Sequence, residues 1–125
     1  MTTTAKIAPP HSFVMVADVL TENGIPDFPT ESRLAATASC IIVGCEHEGD
    51  SETVFTIGID HQVDPGFRPV FESVIETPNR KVSVWTTDIE KFLEEKVPTK
   101  RTRVRIWGNR QKFPDDVVIG LSEAD

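Results

Sequence analysis

Apolar side chains recur along this chain at every second position, in short runs broken by proline, glycine and acidic turns. In HSFVMVADVL (residues 11–20) Phe13, Met15, Ala17 and Val19 share one face. In residues 52–60 Phe55, Ile57 and Ile59 alternate with Thr56 and Gly58. Residues 80–86 place Val82 and Val84 opposite Ser83 and Trp85, and residues 102–107 place Thr102, Val104 and Ile106 opposite Arg103, Arg105 and Trp107. Val117, Ile119 and Leu121 face inward in a last run, residues 116–121. A period of two is the signature of a half-buried strand. With residues 39–47 and 69–76, which are bounded by turn residues, the pattern predicts about seven short strands.

The punctuation predicts how they connect. Glu48-Gly49-Asp50-Ser51 and Thr77-Pro78-Asn79 each sit between two strand runs and read as hairpin turns. Asp64-Pro65-Gly66-Phe67 has the proline and glycine order of a type II turn. One or two short helices are expected: one over residues 30–38, capped by Thr30, and one after the capping-box pattern Thr87-Asp88-Ile89-Glu90. Residues 92–97 are open to a second reading, as an edge strand. The expected fold is therefore all-β, an antiparallel β-sandwich or barrel. Residues 1–10 are expected to be a disordered N-terminal arm and residues 11–125 one β-sandwich domain, a length that buries a sizeable core without staples.

Charge is divided unevenly. Residues 1–79 carry three basic and twelve acidic side chains, residues 80–112 ten basic and four acidic, and the last thirteen carry four acids, for a net −7. Such a chain repels nucleic acid at long range yet offers one basic stretch at short range. No run approaches the ~18 apolar residues of a membrane span, and the N-terminus has no secretory pattern. The two cysteines, Cys40 and Cys45, would lie about 16 Å apart on one strand at about 3.3 Å per residue. Disulfide geometry requires less than about 7 Å, so they cannot bridge to each other. Their odd offset puts them on opposite faces, and a reducing, cytoplasmic location is expected.

The phrase IETPNRKVSVWTT, followed after a spacer by TRVRIWGN and preceded by an FVMVADV-like strand, resembles small bacterial β-sandwich proteins of the competence protein J-like group. That group includes a protein inhibitor of a DNA-entry nuclease. The similarity covers about residues 70–108 and the early strand. Lys100 and Arg101 stand where the group commonly has a glycine. The resemblance implies the sandwich fold and an inhibitor role, and it brings no catalytic signature.

Little else in the chain carries chemistry. Cys45 and His47 fall on one side of a strand and are the candidates for a metal, against the plainer reading of a charged strand end in water. No nucleophile elbow, phosphate loop or dinucleotide fingerprint is present, and no cofactor is expected. Arg101, Arg103 and Arg105, spaced by about 6.6 Å on one face with Trp107, and Trp85 on its own strand, form the candidate interaction surface. Two readings compete for it. Arginines beside exposed tryptophans suit single-stranded nucleic acid; alternatively the arginine stems lie over the rings and their heads pair with Glu72 or Glu76. The acidic balance favours the second. The expected function is a non-catalytic binding protein whose partner is another protein or its own copy as a homodimer. Inhibition of a basic enzyme such as a nuclease is its concrete form. A small-ligand-binding β-barrel is the alternative, and an unrecognised enzyme comes third.

Overall fold

The computed structural model describes residues 2–27, 33–45, 52–110 and 114–124. Among these residues the chain forms ten strands: β1 (Thr2–Ile7), β2 (Phe13–Ala17), β3 (Leu34–Ala36), β4 (Cys40–Gly44), β5 (Thr53–Ile59), β6 (Phe71–Glu76), β7 (Lys81–Thr86), β8 (Lys91–Lys96), β9 (Arg101–Gly108) and β10 (Asp116–Glu123). One helical turn, α1 (Asp60–Val63), follows β5. The strands build two five-stranded sheets, the first in the order β1-β5-β10-β9-β6 and the second in the order β3-β4-β2-β7-β8. All paired neighbours are antiparallel except β5 and β10, which run parallel. The crossover that a parallel pair needs is supplied by the chain's passage through the second sheet and back.

The predicted alternation places the core. Val104 and Ile106 of β9, Val117, Ile119 and Leu121 of β10, and Phe55 and Ile57 of β5 point inward from the first sheet. They meet Val14 and Val16 of β2, Ile41 and Val43 of β4, and Val82 and Val84 of β7 from the second. Phe55 and Phe92 cross between the sheets edge to face, ring centroids 5.3 Å apart at 66°. The second sheet is buried on its outer face as well, where Met15, Ala17, Cys40 and Ile42 lie beneath Leu20, Ile25 and Trp85. This explains why β2 and β4 read as nearly continuous apolar runs. Cys45 belongs to the main core and Cys40 to the outer cluster, both as free thiols. Burial pushes the Cys40 thiol up to about 12.

The all-β sandwich follows the expectation, while several local readings are corrected. Residues 2–7 are not a disordered arm: they form β1, paired along its length with β5, and Ala5 and Ile7 reach the core. Neither expected hairpin forms, since β4 and β5 lie in different sheets, and so do β6 and β7. The turn does close at Thr77–Arg80, with Arg80 N–H donating to Thr77 O at 2.9 Å. Its strands then diverge because Ile75 and Val82 both need burial, which two facing sheets provide. The corner is pinned by Asp18, whose carboxylate accepts from Asn79 N–H at 2.6 Å and from its side-chain amide at 3.3 Å.

Where a helix over residues 30–38 was expected, Leu34–Ala36 forms edge strand β3, and residues 30–32 lie outside the described residues. The capping-box pattern makes a tight turn instead. Thr86 Oγ1 accepts from Asp88 N–H and Glu90 N–H, both at 3.3 Å, and Ile89 takes φ 64°. A threonine hydroxyl can satisfy turn amides as readily as helical ones, and the chain continues as edge strand β8. Among the described residues no helix is long and apolar enough to cross a membrane.

The face assignment of β9 generates a stability contrast. Val104→Asp and Ile106→Asp should each lower stability by roughly 3–5 kcal/mol, because an uncompensated charge enters the core. Arg103→Ala should lower it by no more than about 1 kcal/mol. Chemical denaturation of the three variants checks this, and equal tolerance at positions 103 and 104 would contradict the packing.

Candidate functional site

The outer face of β9 presents Arg101, Arg103 and Arg105 in one row, opposite Glu76, Val74 and Glu72 of β6. Arg103 Nη1 donates to Glu72 Oε2 at 3.0 Å. Arg105 lies deeper, its side chain 26% exposed, and three carboxylates surround it. Its Nη1 donates to Asp60 Oδ2 at 2.9 Å and lies 3.5 Å from Asp64 Oδ2, while its Nε is 3.6 Å from Glu72 Oε1. The guanidinium carbon stands 5.0 Å from the centroid of the Trp107 ring. The Asp60 hydrogen bond, helped by the three negative charges, raises the Arg105 pKa above its ordinary value. Asp60 reaches this position because β10 carries glycine beneath it. A Cβ on Gly120 would lie 2.6 Å from Asp60 Oδ1 and 2.9 Å from Trp107 Cζ3.

The tryptophans do not complete a stacking platform with this row. Trp107 is only 1% exposed, and its indole N–H donates to Phe67 O at 2.8 Å. Trp85 belongs to the second sheet, where its indole N–H donates to Ala17 O at 3.2 Å and Lys91 Nζ lies 5.3 Å from its ring centroid. Arg101 remains on the exposed end of β9, level with Glu76. The predicted set therefore divides among an exposed end, a neutralised centre, a buried ring and a second sheet. Asp60 and Asp64, the partners of Arg105, escaped sequence reading because they are 45 and 41 positions from it, and no local pattern links them.

An acidic end closes the same sheet. The Asn109 side-chain amide donates to Asp115 Oδ1 at 2.6 Å, and Asn109 Oδ1 accepts from Asp115 N–H and Asp116 N–H at 3.1 and 3.2 Å. Arg110 Nη2 is 2.6 Å from Asp115 Oδ2. The Asn109 hydrogen bond, with the Arg110 charge behind it, holds the Asp115 carboxyl below the ordinary aspartate range. Beside this knot Glu52, Asp116 and Lys6 border an open trough of about 500 Å³. In sequence Asp115-Asp116 reads only as a solvated pair.

Other chemistry has less to stand on. Cys45 is buried in the core and His47 lies outside the described residues. Among the described residues no group of three His, Cys, Asp or Glu side chains is placed to hold a metal. Between the sheets a pocket of about 10 Å³ lies beside Arg33 and Ile106, room for about one water, and a larger one of about 300 Å³ opens between β8 and β10, lined by Ile59, Val97, Pro98 and Leu121 with Glu95 and Glu123.

No protein-family model matches the chain, and no curated protein does. Solved structures share its fold. One is ComJ, an inhibitor of the DNA degrading activity of NucA, from Bacillus subtilis. It superposes with a TM-score of 0.62 at 10% identity, over 95% of this chain and 93% of that one. Another is the protein of crocagin biosynthetic gene J, with a TM-score of 0.53 at 15% identity, over 100% of this chain and 99% of that one. At such identity the likeness is one of fold. It agrees with the resemblance carried by IETPNRKVSVWTT and TRVRIWGN.

The geometry at Gly120 predicts that Gly120→Ala lowers stability by about 1–3 kcal/mol, as overpacking does. The loss should shrink in an Asp60→Ala background, where the clash with Oδ1 is gone; urea denaturation of the double-mutant cycle measures it. Asp115 yields a pH prediction. Because its folded pKa is depressed, its stabilising contribution is complete above the unfolded value and is lost as pH falls through the folded one. NMR titration should therefore place the Asp115 midpoint below the ordinary aspartate value, and Asn109→Ala should move it upward.

Proposed function

We propose that this protein is a non-catalytic binding protein that engages a basic protein partner, and that the partner is a DNA-degrading enzyme whose activity it inhibits. One observation carries the reading. Two of the three arginines of the basic row, Arg103 and Arg105, are already paired in cis with Glu72, Asp60 and Asp64. Those two cations therefore do not stand as free positive charge, and the chain as a whole is acidic at net −7. Acidic surfaces steer basic partners and repel phosphate backbones. The shared fold with an inhibitor of a DNA-degrading enzyme supports the choice of partner.

The other readings are less well supported. A ligand-binding reading rests on the pocket of about 300 Å³ between β8 and β10, at the lower end of the range for small-molecule sites. Self-association driven by the basic stretch loses its driver at Arg103 and Arg105, whose charges are met within the chain. A cytoplasmic location belongs to the same proposal and rests on the two free thiols.

The test adds the purified protein to basic DNA-degrading enzymes of its source organism and follows DNA cleavage at low and high ionic strength. Stoichiometric inhibition that weakens with salt is expected, together with no binding of single- or double-stranded DNA by fluorescence anisotropy. Binding to the DNA itself, or the absence of inhibition across those enzymes, would overturn the reading.

A further inference from the structure

The Trp107 end of the first sheet carries an exposed aromatic on a loop that the fold holds in place. Phe67 is 57% exposed, an uncommon position for a phenylalanine. Three contacts fix the loop that presents it. The Trp107 indole N–H donates to Phe67 O at 2.8 Å, and Gly66, at φ 93°, donates its N–H to Asp64 Oδ1 at 2.8 Å. Asp64 is in turn held 3.5 Å from Arg105. Pro65, Phe67, Trp107 and Val118 then wall a shallow dimple of about 240 Å³, with Asn109 and Asp116 on its rim. A dimple of this size falls below the usual range for a small-molecule site, and its open form suits one inserted side chain.

Charge flanks the dimple on both sides. Asp116 is shared with the acidic trough, where Glu52, Asp115 and Asp116 outnumber Lys6 and Arg110, the latter bound to Asp115. On the other side Asp60, Asp64 and Glu72 outnumber Arg103 and Arg105. The carboxylates of Glu52 and Asp116 have no ion pair among the described residues.

We infer that this surface docks a basic protein segment that inserts one apolar side chain into the dimple while its lysines or arginines meet the carboxylates on either side. The inference rests on the proposed function for the basic character of the partner, and it adds where that partner binds. The apolar contact supplies the desolvated centre that interfaces require, with a charged rim around it. Because the loop is tied down before binding, little ordering entropy remains to oppose association.

The probe is a synthetic peptide of lysines and arginines with one central leucine, titrated into labelled protein and followed by amide NMR. Shifts confined to residues 66–67, 107–109 and 116–118 are expected. Affinity should fall several-fold when the leucine becomes serine, and likewise in Phe67→Ala or Asp116→Asn. Both substituted side chains are exposed, so the variants should keep the parent's melting temperature. Shifts elsewhere, no binding, or unchanged affinity in both variants would overturn the inference. So would dilution-dependent shifts of these same amides in the free protein, which would make a second copy the occupant. The same variants in the nuclease assay separate the two claims. Inhibition that survives both substitutions leaves the function standing and removes this surface. Peptide docking here without any inhibition leaves the surface and removes the enzyme as partner.

Discussion

The guanidinium of Arg105 rests against Trp107 and is enclosed by Asp60, Asp64 and Glu72, and much of the first sheet's outer face is arranged around that contact. Only about a quarter of the side chain is exposed, so opposite charge must replace part of the guanidinium's hydration. That requirement holds α1 against the sheet, since its first residue, Asp60, is the nearest partner. It leaves room only for glycine at position 120, and through Asp64 it reaches the turn at Gly66. Trp107, buried beneath the guanidinium, completes the arrangement by holding the carbonyl of Phe67. An arginine that alternation alone would place in solvent thus helps tether the segment from Asp60 to Phe67.

The sheets themselves obey a different constraint, which is that four strand edges must be kept from pairing with other chains. Each edge is handled by its own means. Strand β3 spans only Leu34–Ala36, and β8 carries Lys91, Glu94, Glu95 and Lys96 along its length. Strand β6 bears Glu72 and Glu76, and β1 is threonine-rich with Lys6. Charged and shortened edges discourage association by strand addition. This directs attention to faces rather than edges as the places where a partner is met.

The basic stretch, the most visible feature of the sequence, therefore has a structural role at its centre. Its surface pairs contribute little individually; Arg103 with Glu72, both well exposed, belongs to the class worth under about 1 kcal/mol. Their larger effect is on the electrostatic field. Each pair cancels one charge of each sign, so the net −7 is unchanged while the arginine row ceases to act as a free cationic patch. The proposed binding role builds on that acidic excess, and the fold that would carry it is one shared with ComJ.

What the chain reveals without its structure is what local periodicity controls. Alternation along a strand assigns each side chain to one face, so the inward sets Val104 with Ile106, Val82 with Val84, and Val117 with Ile119 and Leu121 were legible residue by residue. The strands that escaped, β1 and β3, are edges, where few apolar positions are buried and the periodic signal is weak, and β8, also an edge, was legible only as the second of two readings. Turn chemistry was legible as turning at Thr77–Arg80 but not as destination, and after Thr86 a capping-box pattern that predicted a helix closes a turn instead. Whether a turn returns a strand beside its predecessor or sends it to the facing sheet depends on which apolar faces find each other across the core. The same holds for the site. Arg105 and Trp107 were visible as a pair on one strand, whereas Asp60, Asp64 and Gly120 joined them only through β5, α1 and β10 being brought alongside. Contacts between residues far apart in sequence carry no local pattern, so tertiary packing alone decided that the arginines would be neutralised and that Phe67 would be left exposed.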